Sequence, residues 1–480
     1  MKNMLPITFA FALLSIGALA EPPDPSEQSF RDLYKELVET NTSLSSGSCT
    51  LAAERMAAHL RSAGFPDSEL HPFATPEHPK EGGLVAIYPG KDPKLKAILL
   101  LAHLDVVEAK REDWTRDPFK LVEENGNFYA RGSMDDKAEA AIWVDTLVRL
   151  KEAHQQPRRT LKLALTCGEE TSGAFNGAEW LTQNRRDLID AQFAINEGAS
   201  GELDAQGKRI VLDIQAGEKT SRNFRLEVTN PGGHSSRPVK NNAIYHLAGA
   251  LKKIEAYEFP PQFTDASRAY FSGLARIEAA KGETDVANAM NALVKNPDDS
   301  EAIALVAAKD PTWNATMRTT CVATMLDAGH ATNALPQRAR ANINCRIFPG
   351  TPPEAVRQKL EELVADPEVK VTIVENRSPG APPPPPPPPA PPLTAAILGP
   401  VQKLAAQFWP GVPILPILQP GATDGRFLSA AGIPTYGIEP VFLGPDLGHI
   451  HGLNEYVSVK SLLEGRAFLY QLVKIYANQK

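Results

Sequence analysis

Apolar positions recur at helical spacing through residues 27–64, in FRDLYKELVET and then in TLAAERMAAHLRSAG, which ends on Gly64. The pattern then changes. LVAIYPG and KAILLLAHLDVV read as strands, DDKAEAAIWVDTLVRLKEA as a helix, TLKLALTCG as a strand, AEWLTQNRRDLI as a helix and AQFAINEG as a strand. The strand runs are continuously apolar. Strands buried on both faces look like that, and with helices between them they predict an α/β layer around a mostly parallel central sheet.

After about Gly217 the period shifts again. SRNFRLEVTNPG alternates like a half-buried strand, NNAIYHLAGALKKIEAY is helical, and VATMLDA and ARANINCRIF are strand-like. A helix at PPEAVRQKLEELVAD and a strand at VKVTIVE complete a compact α+β unit. Residues 259–315 are irregular in pattern and are assigned to this unit. PGAPPPPPPPPAPP follows, with Pro382–Pro389 unbroken and Pro391–Pro392 after Ala390; such a run forms a semi-rigid polyproline II rod. Helices at AAILGPVQKLAAQFW and LLEGRAFLYQLVKIYAN, with TYGIEPVF between them, return to the α/β type. The parse is a discontinuous first domain, 21–216 and 393–480, carrying an inserted domain at 217–380 and a linker at 381–392.

Composition adds three constraints. The chain has 480 residues, 42% apolar, with 50 Lys+Arg against 57 Asp+Glu, hence a net charge of −7 and no electrostatic footprint for nucleic acid. Proline is 42 of 480, well above the usual ~5%, but it is concentrated in the rod and at junctions. Met1–Ala20 has a basic Lys2, an apolar run and an A-x-A ending. That predicts a signal peptide cleaved after Ala20, a secreted or periplasmic protein, and no membrane contact after cleavage; an uncleaved anchor is the other reading. Export permits disulfides. Cys321 and Cys345 flank GHATNALP, so strands folding back there would set them opposite, as a bridge or as two thiols. Cys49 and Cys167 read as small core residues.

The candidate chemistry lies at strand ends. His103 and Asp105 close one apolar run two positions apart, on the same side of an extended chain. Asp135 and Asp136 open a helix, Glu169 and Glu170 follow another run, and Glu197 ends a fourth. Such carboxylates would repel one another unless cations or protons were bound. One His with several oxygen donors suits zinc, with manganese or cobalt as substitutes, and the supply is enough for two metals sharing a bridge. GHIHG offers His449 and His451 as a further ligand.

LLLAHLDVV, WTRDPF, YARGSMDDK, LTCGEET, INEG, NPGGHSSRP, GATDGRF and IHGLNE stand in order from about residue 30 to 478. In this set the chain resembles the co-catalytic zinc metallopeptidases that include aminoacylase, carnosinase, succinyl-diaminopimelate desuccinylase and glutamate carboxypeptidases. It is most like their carboxypeptidase S and N-acyl-amino-acid hydrolase branch. The resemblance implies a zinc-exopeptidase-like catalytic domain with an inserted lid and dimerisation domain. It implies two zinc ions per chain, held by His103, Asp135 as bridge, Glu170, Glu197 and His451, in preference to His449. Asp105 would orient the site, Glu169 would be the general base, and His234 would stabilise the oxyanion from across a homodimer. Asn333, Arg346 and Gly421 would line the substrate site. Ala138 departs from the family's usual glycine after DDK. The implied reaction is hydrolysis of a peptide or N-acyl amide to release an amino acid. The alternatives are a dipeptidase of the same family and a binding protein that kept the fold.

Overall fold

A computed structural model describes residues 25–171, 175–374 and 388–479. The signal-like segment and all of the proline run before Pro388 lie outside the described residues. Among these residues no helix is long and apolar enough to cross a membrane.

The first domain is built on a ten-stranded mixed sheet. In order across it stand Leu70–Thr75, His78–Tyr88, Leu161–Thr166, Ile98–His103, Phe193–Asn196, Thr435–Gly437, Arg209–Glu218, Gly201–Leu203 and Phe442–Leu443, with Ile414–Gln419 also paired to Arg209–Glu218. Its centre is parallel: Ile98–His103 runs with Leu161–Thr166 on one side and Phe193–Asn196 on the other, and the latter runs with Thr435–Gly437. Continuous apolar runs form these strands because both faces are covered. Ile98, Leu100 and Ala102 pack on one face with helices Pro25–Glu39, Cys49–Ser62, Lys137–Glu152, Ala395–Phe408 and Val459–Asn478. Leu99 and Leu101 pack on the other with helices Gly177–Asn184 and Gly425–Ala430.

The inserted unit has its own sheet, in the order Thr320–Ala328, Arg338–Ile347, Thr220–Thr229, Val369–Val374, all antiparallel. Helices Ala243–Glu255 and Pro353–Val364 cover one face, joining Leu247, Ile254, Val356 and Leu360 to Phe224, Ile343 and Val371. Burial alternates along Arg338–Ile347, as a one-sided sheet requires. The chain leaves the large sheet at Glu218 and enters the small one at Thr220. It returns beside that crossing, where Pro388–Pro391 lie against Gly217 and Glu218.

Two expectations need correction. Of residues 259–315, Phe259 packs against the inserted unit's core, but the helices that follow do not. Those helices are Asp265–Ala280, Thr284–Lys295, Ser300–Lys309 and Pro311–Met317, whose Phe271, Met290 and Val306 bury against Val211 and Leu415 of the large sheet. Cys49 and Cys167 are not separate core thiols either. Cys49 opens its helix at the end of the Leu161–Thr166 strand, and the two are disulfide-bonded with Cα atoms 6.0 Å apart. Cys321 and Cys345 are directly opposed in the antiparallel pair and are also bonded.

Candidate active site

Parallel pairing brings the strand ends to one edge. His103 is in register with Thr166, so Cys167-Gly-Glu169-Glu170 leaves its strand level with the histidine, and Glu197 leaves Phe193–Asn196 beside it. Gly168 makes the turn: its φ is +96°, and a Cβ there would collide with the Phe175 carbonyl oxygen. Asp105 then holds the turn, its two carboxylate oxygens accepting the Glu169 and Glu170 N–H groups at 3.3 and 3.0 Å. His103 donates from Nδ1 to the Asp105 carbonyl at 3.0 Å, which leaves Nε2 free to face the acids.

Asp135 is the centre of the arrangement. Its Oδ1 lies 3.1 Å from His103 Nε2 and its Oδ2 lies 3.0 Å from His451 Nε2. Each histidine has a further acid: Glu197 is 3.8 Å from His103, and Glu170 is 2.9 Å from His451. His449 pairs instead with Asp446 at 3.2 Å. Glu169 joins His103 and Glu197 in a group whose donor atoms lie within 4.8 Å of one another, as do those of His103, Asp135 and Glu170. Two ligands each ~2.0–2.1 Å from a tetrahedral ion stand about 3.3 Å apart. The separations found here fit two such ions, with one carboxylate reaching both.

The electrostatics point the same way. Burial pushes Glu169 up to about 8, with His103 and Arg426 opposing the rise, and burial likewise raises Glu197. Hydrogen bonds to Asp135 and Glu170 push His451 up to about 10. For His103, burial works against the charged ring, but the bond to Asp135 and the facing Glu197 and Asp105 outweigh it. Acids that hold protons on two histidines hold cations as readily.

The sequence from 99 to 475 matches the model of peptidase family M20/M25/M40. The chain belongs to that family. It is therefore a hydrolase of peptide or amide C–N bonds. The human N-fatty-acyl-amino acid synthase/hydrolase PM20D1 is 30% identical to it over 393 residues, 80% of this chain and 75% of that protein. The probable carboxypeptidase S-like 2 of Dictyostelium discoideum is 28% identical over 400 residues, 82% and 74% of the two chains. The M20 family metallo-carboxypeptidase Sso-CP2 from Sulfolobus solfataricus shares the fold, with a TM-score of 0.66 at 18% identity over 95% of this chain and 99% of its own.

The remaining expected residues of this M20 chain divide into two groups. His234 and Asn333 come together on paired short segments: His234 is opposite Ala334, and Ser235 N–H donates to the Asn333 carbonyl. Both are exposed, His234 Nδ1 bonds to Ser236 Oγ at 2.7 Å, and neither is hydrogen-bonded or ion-paired to the acids. Arg346 is half-buried on the small sheet, and Gly421 lies in the turn between Ile414–Gln419 and the helix Gly425–Ala430. Burial and the nearby Arg426 both lower Arg346.

Two residues inside quoted motifs have roles that the motif reading passes over. Glu455 of HGLNE is fully buried and accepts from the Gly132, Met134 and Asp135 N–H groups and from Arg131 Nη1 at 2.6 Å, clamping the loop that presents Asp135. Asp424 of GATDG accepts from Thr166 Oγ1 at 3.0 Å and Asn176 Nδ2 at 2.6 Å, which ties the turn carrying Gly421 to the strand that leads to Glu169. A carboxylate within a glycine-rich motif was the available signal in both cases.

Proposed function

We propose that this M20 hydrolase is an exported two-zinc enzyme that releases an amino acid from an N-acyl amino acid or a peptide. The observation that carries the reading is Asp135, which presents one oxygen to each of two histidines that have their own acids. His103, Glu197, His451 and Glu170 would complete the two zinc sites around it. Zinc held by these residues would supply a water of lowered pKa and a Lewis acid for the amide carbonyl. Glu169, beside that position and raised by burial, takes the proton of the attacking water and passes it to the leaving nitrogen.

Substrate choice follows from unpaired charge. Arg346 and Arg426 have no ion-pair or hydrogen-bond partner for their guanidinium groups among the described residues, and Arg426 is close enough to favour the ionised form of Glu169. Arg426 near the base, with Arg346 close to Arg426, would suit the carboxylate of the amino acid released. His234 and Asn333 would serve the site of a second copy of the chain. Supporting this, the edge strand Thr320–Ala328 is exposed from Val322 onward, with Val322, Met325 and Leu326 59%, 72% and 66% exposed, and Tyr245 of the neighbouring helix is exposed at 66%. An open apolar edge is a template for pairing. Both disulfides support export.

The test is to offer zinc-loaded protein N-acyl amino acids and dipeptides beside their carboxamides, following free amine release. The acids should be cleaved, and the carboxamides at least about tenfold more slowly, the loss expected for a charge-assisted contact. Equal rates would remove the carboxylate anchor; no release from any amide would defeat the reading.

A further inference from the structure

A second group of acids lies behind His103 and takes no part in the chemistry above. Asp136 directly precedes the helix Lys137–Glu152, Glu139 is in its first turn, and Glu439 follows the strand Thr435–Gly437. They are 1%, 0% and 8% exposed, and one oxygen from each lies within 4.8 Å of the others. Asp136 Oδ2 accepts the His103 N–H at 3.1 Å. Its Oδ1 and both oxygens of Glu139 have no hydrogen-bond partner at all.

The His103 ring, already shared with Asp135, is the one cation that acts on all three among the described residues. Among the described residues no Lys or Arg is ion-paired to any of the three, and the neighbouring Lys137 turns away to donate to the Thr40 carbonyl at 2.7 Å. The helix N-terminus favours negative charge there but offers only a fraction of a unit. Burying an acid with no partner is costly, and three converging ones more so. Oxygens bound to one calcium at ~2.4 Å stand no more than about 4.8 Å apart, and these three lie within that limit of one another. The donors are oxygen only, with no histidine or thiolate, which selects a hard cation.

We propose that Asp136, Glu139 and Glu439 hold a third divalent cation, of the oxygen-loving class of Mn²⁺ or Ca²⁺, separate from the histidine-bearing pair. The site goes beyond the hydrolase reading and does not depend on which amide is cleaved. Through Asp136 it is joined to the backbone of His103, so the ion sits behind the pair and does not face substrate.

Crystals of the full protein loaded with Mn²⁺, and separately with Ca²⁺ after zinc, would locate the ions by anomalous scattering. A peak is expected between the three carboxylates in addition to two at His103 and His451. Glu139→Gln and Glu439→Gln should each lose that peak and keep the other two; if one variant fails to fold, the wild-type map and the other variant decide. Two peaks at the histidines and none among the three acids, with either metal, overturn the inference and leave the hydrolase reading intact. A third peak that survives both substitutions also overturns it. Absence of the histidine-bound peaks strikes the two-zinc reading alone.

Discussion

The edge of the large sheet and the outer part of the inserted unit hold the two halves of the expected machinery in opposite states. At the sheet edge His103, Asp135, Glu169, Glu170, Glu197 and His451 come from one chain, five of the six lie at least partly buried, and they contact one another directly. In the inserted unit His234 and Asn333 are exposed and bonded only locally, beside a bare apolar strand. The first arrangement is finished by folding, because parallel strands buried on both faces must end together. The second, on the proposed reading, would be completed by another copy of the chain. A one-sided sheet satisfies its covered face and leaves the rest for another surface.

The largest effect should come from the finished half. Glu169→Gln keeps shape and removes the base, so kcat should fall by about 10²–10⁴-fold with metal content unchanged. Loss of metal, or near-normal turnover, would reassign the residue. Each half also carries one disulfide, and loop length separates them. Cys49–Cys167 spans 118 residues and Cys321–Cys345 spans 24, so the loop-entropy estimate is about 5 kcal/mol for the first and about 3.5 for the second. Denaturant unfolding of Cys167→Ala and Cys345→Ala should rank in that order; the reverse order would show that the inserted unit governs global stability.

The unfinished half is tested by mixing. If His234 acts on the other copy, Glu169→Gln and His234→Ala chains are each inactive alone. Exchanged at equal amounts, half the dimers are mixed and each has one intact site, so about a quarter of wild-type activity should return. A mixture no more active than its parts would confine His234 to its own chain or to no catalytic role.

The smallest effect is on pH. Glu169 and Glu439 are raised from 4.5 to about 8 and Glu218 to about 7, all chiefly by burial. The folded chain without metal thus binds more protons than the unfolded chain between those limits. Its stability should fall as pH rises from about 5 to about 8, while bound metal, which replaces those protons, should stabilise more at the upper end. Melting temperatures with and without chelator that stay parallel across this range would contradict it.

What could be read from the sequence was what lies at the end of a strand. His103, Glu169 and Glu197 each follow an uninterrupted apolar run, and such runs reveal both the parallel sheet and its functional edge. His451 does not. It sits at φ +62° after a short turn, and only the motif around it distinguishes it from His449. The partner of Glu455 was illegible for another reason: Arg131 is 324 positions away, and pairing at that range leaves no local pattern. The same holds for Cys49 and Cys167. The helices between 265 and 317 were misplaced because the face they bury is defined by Val211 and Leu415, residues outside the segment.

The most direct measurement is turnover of an N-acyl amino acid by chelator-stripped protein as zinc is returned in known equivalents. Activity should be absent without metal and should saturate at two zinc ions per chain. Full activity in the stripped protein, or saturation at one, would contradict a site built around the two-sided Asp135.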